Sequence, residues 1–201
     1  MVEPVLTANM PAGRHDPRLR STVQTRIGDA TMSVLVVYES IFGNTRLVAE
    51  VVARGLSASI AVEVLEVGSA PSRIGPEITL LVVGAPTHAF GLSRSNSRHD
   101  AVTKAPSPVP EPETGAREWL GRLERAGAGV RGAAFDTQLG RGWIPGSAAR
   151  AALRRLAALG FEAAIGPESF YVVRSAGPLA DGEGTRAQQW GTELGAATAR
   201  R

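Results

Sequence analysis

From residue 33 onward the apolar positions follow two alternating rhythms. Residues 33–38 (SVLVVY) form an unbroken apolar run rich in β-branched side chains, the pattern of a strand buried on both faces. Over 44–57 the period changes: Leu47, Val48, Val51, Val52 and Leu56 recur at helical spacing and predict a helix with one apolar face. Residues 61–67 return to a period of two through Val62, Val64, Leu65 and Val67, a strand more exposed at a sheet edge. The run 78–84 (ITLLVVG) is a second fully apolar strand, ending in Gly84-Ala85-Pro86.

A long Ser- and Pro-rich connection to about residue 112 follows, with one short helical turn expected near 99–104. Trp119, Leu120 and Leu123 predict an amphipathic helix over 114–126, stopped by Gly127 to Gly129. The remaining elements expected are a strand at 130–135, a loop at 136–146, a helix at 147–159 closed by Gly160, a strand region at 161–173 broken at Gly166-Pro167, and a helix at 183–199. Strands alternating with helices at these lengths predict an α/β fold, a parallel sheet covered on both faces in a three-layer αβα sandwich of five strands. Residues 1–31 carry Pro4, Pro11, Gly13, Pro17 and Gly28 with no sustained apolar period, and are expected to be a disordered tail. Met32 stands directly before the first strand and is an equally good start, which leaves 32–201 as the folded domain.

Composition narrows the chemistry. The 201 residues are 43% hydrophobic and 20% charged, enough for one globular domain with a sizeable core. No apolar run approaches the roughly 18 to 20 residues of a membrane span, and no signal-peptide pattern opens the chain, so a cytoplasmic protein is expected. With no cysteine, thiolate nucleophiles, iron–sulfur clusters and Cys-based zinc sites are excluded, and any redox chemistry belongs to a bound cofactor. His15, His88 and His99 have no metal-ligand spacing, so no metal is expected. The net charge is only +3, and its arginines are interspersed with acids, so no nucleic-acid partner is expected either.

Candidate chemistry gathers where the first strand meets the first helix. In an open parallel sheet, ligands bind at the carboxyl ends of the strands. There Ser40, Gly43, Asn44 and Thr45 crowd around a helix N-terminus, whose free N–H groups and dipole suit a phosphate. No Lys or Arg lies within 39–45, so neutral donors would meet the anion. The simpler alternative is that Ser40 and Asn44 only cap the helix.

This stretch resembles the phosphate-binding loop of flavodoxins: Val36, Val37, Tyr38, Ser40, Gly43, Thr45 and Ala49 match that family's pattern at its spacing. The segments GAPTHAFGLSRSNSR and PESFYVV are also similar to flavodoxin-domain proteins of GC-rich bacteria. The resemblance implies a flavodoxin-like sheet of order 2-1-3-4-5. It also implies FMN, the phosphate held by Ser40, Asn44, Thr45 and the backbone N–H groups of Ile41, Phe42 and Gly43 onward.

The same resemblance places the loop after the third strand over the flavin ring, with Pro86, Thr87, His88, Ala89, Phe90 and Gly91 as its residues. A flat apolar ring needs flat walls and a few backbone donors, which His88 and Phe90 with their small neighbours can supply. Opposite them, the loop after the fourth strand would bring Asp136, Thr137 and Trp143, with Trp143 either stacked on the ring or packed on the helix from 147. Two features depart from electron-carrier flavodoxins: no Tyr occupies this loop, and Arg94, Arg98 and Arg141 take the place of an acidic rim.

The resemblance therefore implies electron transfer by bound FMN between partner proteins. The alternatives are an FMN-dependent NAD(P)H:quinone or flavin reductase, and a flavin-less binding module of the same fold. Monomer and homodimer remain equally open.

Overall fold

The computed structural model of the chain describes residues 33–57, 60–140 and 145–199; the tail expected over 1–31, with Arg141 and Trp143, lies outside the described residues. Strand β1 (Ser33–Tyr38) runs through the middle of a parallel sheet, with β2 (Ala61–Glu66) on one side and β3 (Ile78–Pro86) on the other. Helix α1 (Asn44–Leu56) makes the first crossover. After β3 come two short helices, α2 (Ser95–Thr103) and α3 (Ala116–Arg122), and then β4 (Arg131–Leu139), paired with β3. Helix α4 (Ala148–Ala158) leads to the last edge, and α5 (Glu183–Ala199) closes the chain. The strand order is β2-β1-β3-β4-β5.

The last edge comes in two pieces. β5 (Glu162–Ala163) pairs with the start of β4 and β6 (Glu168–Val172) with its end, both parallel, and Gly166-Pro167 occupies the gap. Proline cannot donate to the ladder, so the break falls where the sequence places it.

Alternation along β1 divides the core. Val34 and Val36 pack with Val48, Val52, Phe135, Trp190 and Leu194 under α1 and α5, while Leu35 and Val37 pack with Trp119, Leu120, Ala149 and Leu156 under α3 and α4. On the first face, Gly55 and Gly191 let α1 and α5 meet backbone to backbone. A Cβ on Gly55 would lie 2.3 Å from Gln188 O, and one on Gly191 2.3 Å from Val52 O.

Four expectations need correction. The strand expected at 130–135 runs on to Leu139, because 136–139 pair with β6; Asp136 and Thr137 are therefore strand residues, not loop residues. The helix expected over 114–126 ends at Arg122, where Leu123 turns extended while staying buried. The turn expected near 99–104 is a full helix beginning at Ser95, its start fixed by Ser97 Oγ, which accepts from Arg94 N. Leu47, counted on the apolar face of α1, is 44% exposed. Among the described residues no helix is long and apolar enough to cross a membrane.

Candidate functional site

At the carboxyl end of the sheet a cleft of about 220 Å³ opens between the β1–α1 turn and the ends of β3, β4 and β6. Ser40, Ile41, Phe42, Asn44 and Thr45 line it from the turn, Pro86, Thr87 and His88 from the end of β3, and Thr137 from β4. Nine of the candidate residues named above thus share one cleft. Gly43, Ala89, Phe90, Gly91 and Asp136 lie off its lining, and Trp143 is outside the described residues.

The turn keeps its first backbone donors outside the helical ladder. Gly43 adopts the left-handed conformation at φ 85, which bends the chain into α1, and nothing lies within 4 Å of where its Cβ would be. The first helical bond runs from Leu47 N to Gly43 O, so the N–H groups of Asn44, Thr45 and Arg46 precede the ladder. Among the described residues no side chain caps them. Ser40 Oγ is buried, yet has no hydrogen-bond partner among the described residues. A buried hydroxyl left unpaired costs about 1–3 kcal/mol, and a ligand accepting from it would remove that cost.

The neighbouring side chains are already engaged. Asn44 Nδ2 donates to Ser175 O at 2.8 Å, tying the turn to the loop after β6. Thr45 Oγ1 and Thr137 Oγ1 share a buried hydrogen bond of 2.8 Å, in which one hydroxyl keeps its proton free to donate elsewhere. Arg46, the nearest cation on α1, is turned onto Glu50 at 2.8 Å. Neutral donors and the helix dipole therefore supply the positive potential of the turn.

Across the cleft the chain after β3 folds into a tight hairpin. His88 N donates to Gly91 O and Gly91 N to His88 O, both at 2.9 Å, with Ala89 and Phe90 at the tip. Phe90 is 75% exposed and is the one non-glycine residue with positive φ among the described residues, at 69°. His88 is half-buried in the cleft wall. Burial, reinforced by the nearby Arg98 cation, holds its imidazole below the ordinary value of 6.5, so the wall is neutral at pH 7.

Asp136 has a different task from the one expected. Fully buried, it accepts through Oδ2 from Ser147 Oγ (2.6 Å) and Ala149 N (2.9 Å), and through Oδ1 from Gln138 Nε2 (3.0 Å). Its carboxylate caps α4 and is turned away from the cleft. Arg98, expected in a loop, lies in α2 and is 2% exposed, with Nη1 donating to Glu118 at 3.0 Å.

Sequence reasoning missed five lining residues: Ala101 of α2, Gln138 and Leu139 of β4, Val172 of β6, and Ser175. The polar end of β4 carries no strand signal of its own, and Ala101 reaches the cleft only through the placing of α2, which the local sequence does not signal. Among the described residues no cluster of His, Asp and Glu could hold a metal ion.

No family model matches this sequence, and no curated protein does. Structural likeness is clear, however. The flavodiiron core of Flv1 from Synechocystis sp. PCC6803 superposes with a TM-score of 0.58 at 16% identity, over 86% of this chain and 37% of that one. A flavodoxin from the domain Archaea gives 0.57 at 16% identity, over 84% of this chain and 100% of the other. Oxidised flavodoxin 1 from Bacillus cereus gives 0.56 at 14% identity, over 81% of this chain and 96% of the other. The chain spans about a third of the flavodiiron core and essentially the whole length of the two flavodoxins. The sheet order β2-β1-β3-β4-β5 and the superposition over whole flavodoxins lead to one conclusion: this chain has the flavodoxin-like fold.

Proposed function

We propose that the chain binds FMN and transfers electrons through it. One observation carries the reading: a buried Ser40 hydroxyl beside a helix N-terminus, the one unpartnered and the other uncapped among the described residues, at the carboxyl end of a central parallel strand. The residues fit the group. Ser40 Oγ and the backbone N–H groups of 41–45 would hold the phosphate, with the Thr45–Thr137 pair offering one further donor. The cleft is smaller than the roughly 300–1,000 Å³ that encloses a whole ligand, so it suits the phosphate and ribityl end, with the ring at the mouth.

At that mouth, the exposed Phe90 on its strained hairpin suits a ring wall. A bulky residue is held in the left-handed region at a cost of order 1–3 kcal/mol only where its surroundings enforce it. His88 adds a neutral face, and Trp143 is the proposed opposite wall. When bound, FMN supplies the one- and two-electron chemistry; the chain's own residues bind it, orient it and shield its inner edge. The proposed functional unit is 32–201, in the cytoplasm, with a redox protein or NAD(P)H as its electron source.

The test is the visible absorption spectrum of the protein as purified and after FMN is added, followed by anaerobic NADPH. The reading predicts a bound-flavin spectrum. Bleaching by NADPH alone assigns reductase activity, whereas flavin that NADPH leaves oxidised assigns a carrier reduced by another protein. A protein that binds no flavin contradicts the reading and leaves a flavin-less binding module.

A further inference from the structure

The turn bearing Ser40 and the hairpin bearing His88 are joined by a chain of buried polar groups. Glu39, directly before Ser40, is fully buried. Ser93 Oγ donates to its Oε1 at 2.6 Å and Ala116 N to its Oε2 at 2.7 Å. Arg98 Nη1 donates in turn to Ser93 Oγ at 3.2 Å and to Glu118 Oε2 at 3.0 Å. From outside, Arg117 grips the same stretch, Nε donating to Ser93 O at 2.9 Å and Nη2 to Leu92 O at 2.7 Å. At the other end of the hairpin, Thr87 N donates to Thr137 O and Thr87 Oγ1 accepts from Ala148 N, both at 2.9 Å. The hairpin is thus anchored on both sides of its exposed tip.

As a source of stability such a relay is a poor choice. Buried ions lose several kcal/mol of hydration each before their attraction counts, and Arg98 Nε has no partner among the described residues. Well-packed apolar side chains would fill the same space at less cost. What the relay supplies is directional bonds of fixed length between two segments far apart in sequence. Glu39 adjoins the phosphate turn, and Ser93 stands two residues beyond Gly91.

We propose that the Glu39–Ser93–Arg98 relay, with Arg117 as its outer clamp, is the positioning unit of the flavin site and sets where the ring-facing hairpin stands relative to the phosphate turn. This rests on the flavin reading above. None of the four residues lines the cleft, so each acts through the hairpin. Their loss lowers the ring's share of the affinity and leaves the phosphate's share intact.

The experiment titrates FMN and riboflavin, which lacks the phosphate, into the full chain and its Ser93→Ala, Arg117→Met and Glu39→Gln variants, with melting temperatures measured alongside. Ser93→Ala should weaken both flavins by a common factor of roughly ten, the size of one lost hydrogen bond, leaving the FMN-to-riboflavin ratio unchanged. Arg117 is exposed, so Arg117→Met folds even if Ser93→Ala does not, and it should weaken both flavins in the same proportion. Glu39→Gln keeps an acceptor for Ala116 N and a partner for Ser93, and should bind like wild type. The proposal is overturned if Ser93→Ala and Arg117→Met bind both flavins as wild type does, even with lowered melting temperatures, or if only FMN affinity falls. Wild-type protein that binds neither flavin would overturn the flavin reading itself, and with it this proposal, before any variant is compared.

Discussion

Helices α1 and α4 both begin at the carboxyl end of the sheet, but their N-termini are treated in opposite ways. At α4 the first three N–H groups all have side-chain acceptors: Ala148 N donates to Thr87 Oγ1, Ala149 N to Asp136 Oδ2 and Arg150 N to Ser147 Oγ. Among the described residues no side chain caps the N-terminus of α1, and the nearby Ser40 hydroxyl is buried without a partner. The chain therefore completes one helix start internally and leaves the other to an outside acceptor. The first start is structural; the second is the proposed phosphate site.

Variants at the two starts should separate stability from affinity. Asp136→Ala removes the acceptor of three hydrogen bonds, one buried and two part-buried, and should lower folding stability by about 2–4 kcal/mol in urea denaturation. Ser40→Ala should leave stability unchanged or slightly raised, because it deletes an unpaired buried hydroxyl, while weakening FMN by about 1.5–3 kcal/mol in a fluorescence titration. If Ser40→Ala destabilised the protein and spared FMN affinity, the contrast between the two helix starts would fail.

A smaller effect should appear with pH at Glu39, the residue joining the two regions. Burial pushes its carboxyl above the ordinary 4.5, against the hydrogen bonds from Ser93 and Ala116 and the Arg98 charge. A raised folded-state pKa contributes stability that is fully present below 4.5 and is lost as pH rises through the folded value. Melting temperatures of wild type should therefore fall relative to Glu39→Gln between about pH 4 and neutrality, since Glu39→Gln has no proton to lose. Parallel melting curves over that range would place Glu39 in an environment no different from water.

How far the sequence reaches depends on whether a signal is local. The unbroken apolar runs of β1 and β3 and the Gly166-Pro167 break are legible because each lies within a few consecutive residues. The phosphate turn is legible for the same reason: Ser40, Gly43 and Thr45 are neighbours in the chain. The far side of the cleft is not. Asp136 to Leu139 are held extended by pairing with β6, about thirty residues later, and nothing in Asp-Thr-Gln-Leu itself announces a strand. Arg98 in a Ser-rich segment reads as a solvated loop charge, and only its ion pair with Glu118 of α3, twenty residues later, shows where it is buried. Asp136 at a strand end reads as a ligand contact until Ser147 and Ala149 are seen to claim its carboxylate.

The claim on which the rest depends is that the start of α1 is a phosphate site. It is tested most directly by comparing the dissociation constants of FMN and riboflavin for the wild-type chain at one ionic strength. The account predicts FMN tighter by roughly thirtyfold or more, as two or more charged hydrogen bonds to the phosphate require. Equal affinities would contradict it, because the uncapped helix start and the Ser40 hydroxyl would then contribute nothing to the ligand.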